Sequence, residues 1–245
     1  MGENRLISLR RLGLVSYPEA WRVQAQIWEQ RVRGETSDVL VLLEHPPTIT
    51  VGQSGDMSNL FVDRSELRQR GISFFFADRG GDITYHGPGQ LVAYPIVDLR
   101  DRGRDVSQYV RDLEETVIRT LADLSIKSRR DERQPGVWVG DAKIASIGVA
   151  VRKWVTTHGI ALNVSNDLGP FSLIRPCGLS GQEMTAVSGL VGRRVQMDEA
   201  IAAFVNRFAE VFSADIVEPT LDANAFETTR LERLATSARR SRGCN

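Results

Sequence analysis

The feature that most constrains this chain is a glycine-rich stretch, residues 79–90, with an apolar run on each side. It holds four glycines and one proline in twelve residues, and the flanking apolar runs are residues 72–77 and 91–97. Glycine allows close approach of the backbone to other groups, and loops set between rigid strands often carry binding residues. The pattern therefore predicts a strand, a ligand-binding loop and a second strand.

Polar side chains make this stretch more than a connector. Arg79, Asp82, Tyr85 and His86 supply charge, hydrogen bonding and a titratable ring. A glycine hairpin facing water has no need of this combination, so a functional loop is favoured. The spacing of the glycines does not match a dinucleotide fingerprint, and no Gly-Lys-Ser/Thr follows, so neither phosphate-binding motif is indicated.

Composition favours one α/β domain. A chain of 245 residues that is 42% hydrophobic and 25% charged can bury one substantial core. No linker divides it, so we expect a single catalytic domain over residues 1–218 and a C-terminal extension, partly helical or disordered, over residues 219–245. A formal net charge of zero gives no sign of a generally basic surface for nucleic acid.

Compartment and redox state follow from what the sequence lacks. No apolar run has the length of a membrane span, and the first residues lack the apolar core of a secretion signal. The two cysteines, Cys177 and Cys244, are not expected to form a disulfide framework. A cytoplasmic protein with reduced thiols is expected.

Hydrophobic periodicity predicts strands and helices in alternation. The expected strands are residues 6–15, 39–43, 48–51, 72–77, 91–97 and 156–164, with a hairpin over residues 136–151 that turns at Gly140 and Asp141. The expected helices run from Ser16 to a stop at Gly34, over residues 65–70, from a cap at Asp105 to Leu124, and over residues 197–212. In the first helix the periodic residues are Trp21, Ala25, Trp28 and Val32.

Candidate reactive side chains come from several places in the chain. Cys177 lies between Pro176 and Gly178, where a sulfur can be exposed, although a lone cysteine is commonly an inert core residue. Lys143 is either a solvated strand end or an inward-facing proton carrier, and an ammonium group near a thiol favours the thiolate. His86 and His158 are alternative bases.

The third histidine, His45, precedes two prolines and is expected to be structural. The histidines and cysteines do not show zinc-ligand spacing, so no metal site is predicted.

Several stretches together resemble the octanoyltransferases of lipoate biosynthesis. They are Arg79-Gly-Gly-Asp-Ile-Thr-Tyr-His-Gly-Pro-Gly-Gln90, Tyr94-Pro-Ile-Val-Asp-Leu99, Gly136-Val-Trp-Val139, Lys143-Ile-Ala-Ser-Ile-Gly148, His158-Gly-Ile-Ala-Leu-Asn-Val164 and Pro176-Cys-Gly178. These enzymes move an octanoyl group from acyl carrier protein to a lysine of lipoyl domains, and the matching blocks span roughly residues 38–190.

The resemblance implies a fold, a reaction and a set of site residues. The fold is an α/β (α+β) architecture, a central mixed β-sheet flanked by helices, similar to the catalytic domains of biotin and lipoate protein ligases. Cys177 is the implied nucleophile, and Lys143 the residue that lowers its pKa. The implied substrate-binding residues are Arg79, Gly80, Gly81, Asp82, Ile83, Thr84, Tyr85, His86, Ser146, Ile147, Gly148, Gly159, Ile160 and Ala161.

The implied partners are octanoyl-acyl carrier protein as donor, and the lipoyl domains of 2-oxoacid dehydrogenases and the glycine cleavage H protein as acceptors. The expected enzyme is a cytoplasmic monomer that uses no cofactor, metal or ATP and has no nucleic-acid or membrane partner. Because carrier proteins are acidic, a basic docking surface is expected. Its candidates are the pairs Arg129-Arg130, Arg152-Lys153 and Arg193-Arg194, and the candidates for an apolar tunnel are Ile83, Leu91, Ile144, Ile147 and Leu162.

Three other functions stay open at this stage. An ATP-dependent lipoate or octanoate ligase on the same fold could use the lysine, but it needs no nucleophilic thiol. In a non-catalytic acyl-binding protein, the thiol of Cys177 could be removed without loss of function. A cysteine hydrolase needs a Cys-His-Asn/Asp arrangement, for which no clear pattern exists.

Overall fold

A computed structural model of the chain describes residues 5–131, 134–175 and 183–218. The strands within these residues are β1 (Arg5–Leu14), β2 (Asp38–Glu44), β3 (Thr48–Val51), β4 (Ser73–Phe76), β5 (Ile83–His86), β6 (Gln90–Ile96), β7 (Arg129–Asp131), β8 (Gln134–Val139), β9 (Ala142–Arg152), β10 (Val155–Asn163) and β11 (Ala214–Val217). The helices are α1 (Tyr17–Arg33), α2 (Arg64–Gln69), α3 (Val106–Asp123), α4 (Val187–Val191) and α5 (Met197–Phe212), with 3-10 turns at Met57–Asn59, Leu99–Arg102 and Gly169–Leu173. Cys177 and the predicted extension, residues 219–245, lie outside the described residues.

The main sheet is mixed and carries helices on both faces. Its strand order is β11-β1-β2-β6-β10-β9-β8-β7, in which β1 runs parallel to β11 and β2 while the other neighbours are antiparallel. Helix α1 packs with apolar residues of β2 and β6 on one face, and α3 and α5 enclose a larger core on the other. The predicted α/β fold with a central mixed sheet is confirmed.

A second, three-stranded sheet changes the interpretation of the glycine-rich stretch. Its order is β4-β3-β5, and its third strand, β5, consists of residues 83–86 from the middle of the predicted loop. The prediction that residues 79–90 form one continuous loop is therefore wrong. All four residues of β5 are buried, so a short, fully buried strand lies among the glycines.

Most element boundaries agree with the periodic pattern. Asp105 caps α3 by accepting a hydrogen bond from the Gln108 backbone N–H, and Gly34 ends α1 in the left-handed conformation. The buried stripe of α1 is different from the predicted one, because its most buried residues are Tyr17, Ala20, Gln24 and Ile27. Because Gln24 is polar, the hydrophobic pattern of the sequence does not show this buried stripe. No helix among the described residues is both long enough and apolar enough to cross a bilayer.

Candidate active site

The two sheets and the start of α1 enclose a cavity that gathers most of the predicted binding residues. It is lined by Tyr17, Arg79, Gly81, Asp82, Ile83, Thr84, His86, Tyr94, Lys143, Ser146, Ile147, Gly148, His158, Gly159, Ile160 and Ala161. All of these residues except Tyr17 and Tyr94 are candidates from the sequence, drawn from stretches as far apart as positions 79 and 161. Antiparallel pairing of β9 with β10 brings Ser146 opposite Ala161 and Gly148 opposite Gly159.

Two of the predicted binding residues lie outside this lining. The backbone N–H of Gly80 donates to the Val149 carbonyl at 2.8 Å and so ties residues 79–81 to β9. Tyr85 belongs to the apolar cluster of the small sheet, where its ring meets Phe171 edge-to-face at 5.4 Å. The structure therefore places Gly80 and Tyr85 as supports of the cavity wall.

The side chain of Arg79 lies in the cavity wall, where hydrogen bonds to the small sheet hold it. Its Nη2 donates to the carbonyl and to the hydroxyl of Thr50, at 2.9 and 2.8 Å, and its Nη1 donates to the Gly80 carbonyl at 3.1 Å. These bonds hold a positive charge at the cavity, since the side chain is buried and arginine stays protonated.

Asp82 connects the cavity to a neighbouring loop. One of its carboxylate oxygens accepts from the backbone N–H of Asp56 at 3.1 Å, and the other accepts from Nδ2 of Asn59 at 2.6 Å. The Asn59 carbonyl in turn accepts from the backbone N–H of Arg175 at 2.7 Å. The chain that leads to Cys177 is thus attached, through Asn59, to a residue of the cavity.

Lys143 is fully inside the protein, with only 1% of its surface exposed. Its Nζ lies 4.8 Å from the centre of the Trp138 ring, a cation–π contact. Gly136 leaves room for the side chain, because a Cβ at that position would lie 2.6 Å from Cε of Lys143. Of the two alternatives that the sequence leaves open for Lys143, a solvated strand end or an inward-facing side chain, the structure has the second.

The backbone of Lys143 contacts the chain that follows Cys177. Its N–H donates to the Glu183 carbonyl at 2.8 Å, and its carbonyl accepts from the Thr185 N–H at 3.0 Å, so residues 183–185 pair with it in parallel. The segment 176–182, which contains the predicted nucleophile, is itself outside the described residues. The residues on its two sides have fixed partners: Arg175 is bonded to Asn59, which contacts the cavity residue Asp82, and Glu183 is bonded to Lys143.

His86 has both ring nitrogens engaged. Gln90 donates through Nε2 to the Tyr85 carbonyl and to Oδ1 of Asn163, so its Oε1 accepts from His86 Nδ1 at 2.8 Å. His86 Nε2 is then the acceptor for the Thr50 hydroxyl at 3.3 Å. Burial and the nearby His45 hold the pKa of His86 well below its ordinary value, so the ring is neutral and has no ready site for another proton.

The other two histidines also have fixed partners. His45 donates through Nδ1 to the Val15 carbonyl at 2.7 Å and accepts from the Tyr94 hydroxyl at 2.8 Å, and burial lowers its pKa to about 4. His158 donates through Nε2 to Asp78 at 2.7 Å, and this hydrogen bond lowers the pKa of the Asp78 carboxyl. His45 is structural, as predicted, whereas His158 also lines the cavity.

Sequence reasoning missed Tyr17 as a cavity residue. It occupies the first turn of α1 and is 2% exposed, and its ring stacks on Phe75 with centroids 5.5 Å apart. Burial raises the pKa of its hydroxyl to about 12. The signal that could have found it is the spacing of Tyr17, Ala20, Gln24 and Ile27, one helical stripe beside the predicted one.

The candidate tunnel residues divide into two groups. Ile83 and Ile147 line the cavity. Leu91, Ile144 and Leu162 instead lie in the core beneath α3 and α5.

The basic pairs that could dock a carrier protein are exposed, and several of their charges have acidic neighbours. Arg130 contacts Glu114 at 3.2 Å, Arg193 contacts Glu199 at 2.6 Å, and Arg152 lies 3.9 Å from Asp78. Such surface pairs contribute little to stability. A docking role for them stays a prediction.

Comparison with known families identifies the class of protein. Residues 16–209 match the lipoyl protein ligase A/B catalytic domain. The chain belongs to this family. Among solved structures it is similar to lipoate-protein ligase A bound with ATP, with a TM-score of 0.71, 22% identity and 90% of each chain covered. It is also similar to a bipartite lipoate protein ligase of Thermoplasma acidophilum, with a TM-score of 0.67, 20% identity and coverage of 89% and 87%; at these identities the likeness concerns the fold.

Sequence relatives narrow the class further. An octanoyltransferase of Solibacter usitatus is 48% identical over 209 residues, which cover 85% of this chain and 94% of that one. An octanoyltransferase of Caldicellulosiruptor saccharolyticus is 44% identical over 205 residues, with coverage of 83% and 87%. Within its family the chain is an acyltransferase of the octanoyltransferase group.

Proposed function

We propose that this protein transfers an octanoyl group from octanoyl-acyl carrier protein to a lysine of a lipoyl domain, through a thioester on Cys177 and without ATP. The names of the relatives support octanoyl transfer in protein lipoylation. The observation that carries the finer proposal is Lys143, a lysine buried at the cavity whose backbone is bonded to the chain returning from Cys177.

Chain connectivity supports a partnership between Cys177 and this cavity. Cys177 is two residues beyond Arg175, and an extended chain spans at most about 3.6 Å per residue, so the two Cα atoms are within about 7 Å. Arg175 is bonded to Asn59, which contacts the cavity residue Asp82. A thiol within reach of the Lys143 ammonium would be stabilised as the thiolate.

The first step forms the acyl-enzyme. The Cys177 thiolate attacks the octanoyl thioester carbonyl of the carrier's pantetheine arm, and backbone N–H groups of the glycine-rich wall stabilise the negative oxygen. The bond from carbonyl carbon to pantetheine sulfur breaks, and Lys143 gives its proton to the leaving thiolate. The products are octanoyl-Cys177 and the free carrier thiol.

The second step forms the amide. The amine of the lipoyl-domain lysine attacks octanoyl-Cys177, its proton passes to the now neutral Lys143, and Cys177 leaves as the thiolate. One thioester replaces another in the first step, and a more stable amide replaces a thioester in the second, so the reaction needs no ATP. His86 is a poor substitute for Lys143, since Thr50 occupies its acceptor nitrogen.

The decisive experiment mixes purified protein with octanoyl-carrier thioester, with and without a lipoyl domain and in the absence of ATP, and follows intact mass before and after hydroxylamine. A labile octanoyl adduct that forms in Cys244→Ser but not in Cys177→Ser is the expected result. If no adduct and no amide form from the thioester, while octanoate with ATP gives product, the protein is a ligase. If neither donor gives product but octanoate still binds, it is an acyl-binding protein.

The role of Lys143 has a separate test. We expect Lys143→Met to raise the pH midpoint of Cys177 alkylation and the exposed Lys153→Met to leave it unchanged. An unchanged midpoint in Lys143→Met would remove the activating role. Monomeric state and cytoplasmic location are further parts of the proposal, which gel filtration and cell fractionation would test.

A further inference from the structure

Asn163, the last residue of β10, forms a junction between three parts of the molecule. It is buried, with 1% of its surface exposed. Its Oδ1 accepts from Nε2 of Gln90 at 2.9 Å and from Nδ2 of Asn166 at 3.1 Å. Its Nδ2 donates to the Thr185 carbonyl at 3.1 Å. These contacts fix the orientation of the amide, because only the nitrogen can donate to a carbonyl.

The Gln90 partner links this junction to the cavity. Gln90 is itself buried, and it also contacts His86, which lines the cavity. Both hydrogens of its Nε2 have acceptors, the Tyr85 carbonyl and Asn163. Asn163 is therefore bonded, on the side that faces the cavity wall, to the Gln90 side chain, whose own hydrogen bonds fix its orientation.

The Thr185 partner links the junction to Lys143. The N–H of Thr185 donates to the Lys143 carbonyl, while its own carbonyl accepts from Asn163. Residues 183–185 thus lie between the backbone of β9 and the side chain of Asn163. A nearby backbone bond, from the Ser188 N–H to the Val164 carbonyl at 2.9 Å, fixes the start of α4 but does not reach Lys143.

We propose that Asn163 is a positioning residue for the acyl transfer, holding residues 183–185 against Lys143 and so fixing where the chain returns from Cys177. This inference rests on the proposed function of Lys143 and Cys177. Asn163 acts at a distance from the acyl group, through the Thr185 carbonyl. A misplacement of about 1 Å between reacting groups can cost on the order of a hundredfold in rate, so one amide hydrogen bond has a measurable catalytic effect here.

The test compares Asn163→Ser with Asn166→Ser in the full-length Cys244→Ser protein, where Cys177 is the one thiol. Both substitutions shorten a buried asparagine of the same network, but only the first removes the donor to Thr185. Three quantities are measured: kcat and KM for octanoyl transfer, the pH midpoint of Cys177 alkylation by iodoacetamide, and the exchange rate of the Thr185 amide hydrogen.

For Asn163→Ser we expect kcat to fall about tenfold or more with KM within about threefold, because alignment and not binding is affected. The alkylation midpoint should rise by about half a pH unit or more as the thiol loses its fixed relation to Lys143. Thr185 exchange should accelerate about tenfold or more, while Asn166→Ser stays near the parent in all three. A raised KM with unchanged kcat, or equal effects in the two variants, would overturn the proposal.

Two further arms keep the result interpretable. If Asn163→Ser does not fold, Asn163→Asp replaces it, since a carboxylate still accepts from Gln90 and Asn166 but cannot donate to Thr185. Thr185 exchange no faster than in Asn166→Asp would then refute the role. If Lys143→Met leaves the alkylation midpoint unchanged, the proposed activation by lysine fails, whereas Thr185 exchange still decides whether Asn163 holds residues 183–185.

Discussion

Gly148 is a point at which the cavity wall has little room for change. A Cβ added there would lie 2.9 Å from the Gly80 carbonyl oxygen, 3.2 Å from Cδ of Arg79 and 3.4 Å from its Nη1. The first of these atoms belongs to the backbone and cannot rotate away. Gly148→Ala must therefore push the glycine-rich wall and β9 apart by several tenths of an ångström, at the edge of the proposed acyl site.

The loss of stability expected for Gly148→Ala depends on the hydrogen bonds that this movement strains. The Gly80 N–H is bonded to the Val149 carbonyl at 2.8 Å, and Arg79 is held by Thr50, so the wall resists displacement. Overpacking of this kind costs about 1–3 kcal/mol of unfolding free energy. For a domain of this length the loss corresponds to a melting temperature lower by about 3–10 °C. Octanoyl transfer should fall about tenfold or more, because the methyl group also narrows the cavity.

Gly189→Ala is the matched control for this substitution. Gly189 lies within α4, and a Cβ there would meet nothing within 4 Å. Alanine is the better helix former, so this variant should be as stable as the parent or up to about 1 kcal/mol more stable. The assays are thermal unfolding and the rate of octanoyl transfer to a lipoyl domain. A Gly148→Ala protein with parental melting temperature and rate would refute the close-contact reasoning.

Three further outcomes are expected. Because burial lowers the pKa of His45 to about 4 and holds that of His86 well below normal, both rings are neutral when folded but take up a proton on unfolding below about pH 6.5. The stabilisation from His45 is complete above that pH and is lost as pH falls toward 4, and the contribution of His86 declines in the same direction. Urea unfolding at pH 5 should therefore show at least about 2 kcal/mol less stability than at pH 7.5; a flat profile contradicts this. Phe208 is fully buried and stacks on Phe212 at 4.1 Å, so Phe208→Ala should cost about 3–5 kcal/mol by the same method, and a loss below about 1 kcal/mol would be inconsistent. Gly136→Ala should slow octanoyl transfer although Lys143 itself is unchanged, since the new methyl group displaces the methylene chain of Lys143. An unchanged rate would show that this methylene chain can move aside.

The sequence predicts those parts of the fold in which local pattern and tertiary environment agree. β2 is a continuous apolar run and is buried on both faces, and α5 begins and ends where its periodicity does. β5 escaped prediction because its four residues lie within a glycine-rich stretch, and its partner β3 lies some thirty residues earlier. Pairing over such a distance leaves no periodic trace in the short strand itself.

The cavity residues also divide into those that the sequence predicts and those that it does not. Lys143 could be named from the sequence because a charge in an apolar setting is unusual, and Arg79 because it stands with other polar side chains in a glycine-rich stretch, whereas Gly148 was implied by the family resemblance alone. Gln90 and Asn163 could not, although both are buried at 1% exposure. A polar residue at the end of a strand usually faces water, and only the three-dimensional pairing shows that their hydrogen-bond partners are inside.

Lys143 also differs from the other lysines in burial and from the arginines in its ability to exchange a proton. The chain contains three lysines among its 31 basic residues, and Lys127 and Lys153 are exposed while Lys143 is buried. An arginine could attract a thiolate equally well, but a guanidinium stays protonated and cannot take a proton from the incoming amine. Lys143→Arg should therefore keep the alkylation midpoint of Cys177 within about half a pH unit of the parent. It should still form octanoyl-enzyme, with pantetheine leaving as the thiolate and taking its proton from water, but it should slow amide formation about a hundredfold, a loss in the range of general base catalysis. Single-turnover mass spectrometry separates the two steps. Amide formation at the parental rate would show that the lysine acts through its charge alone.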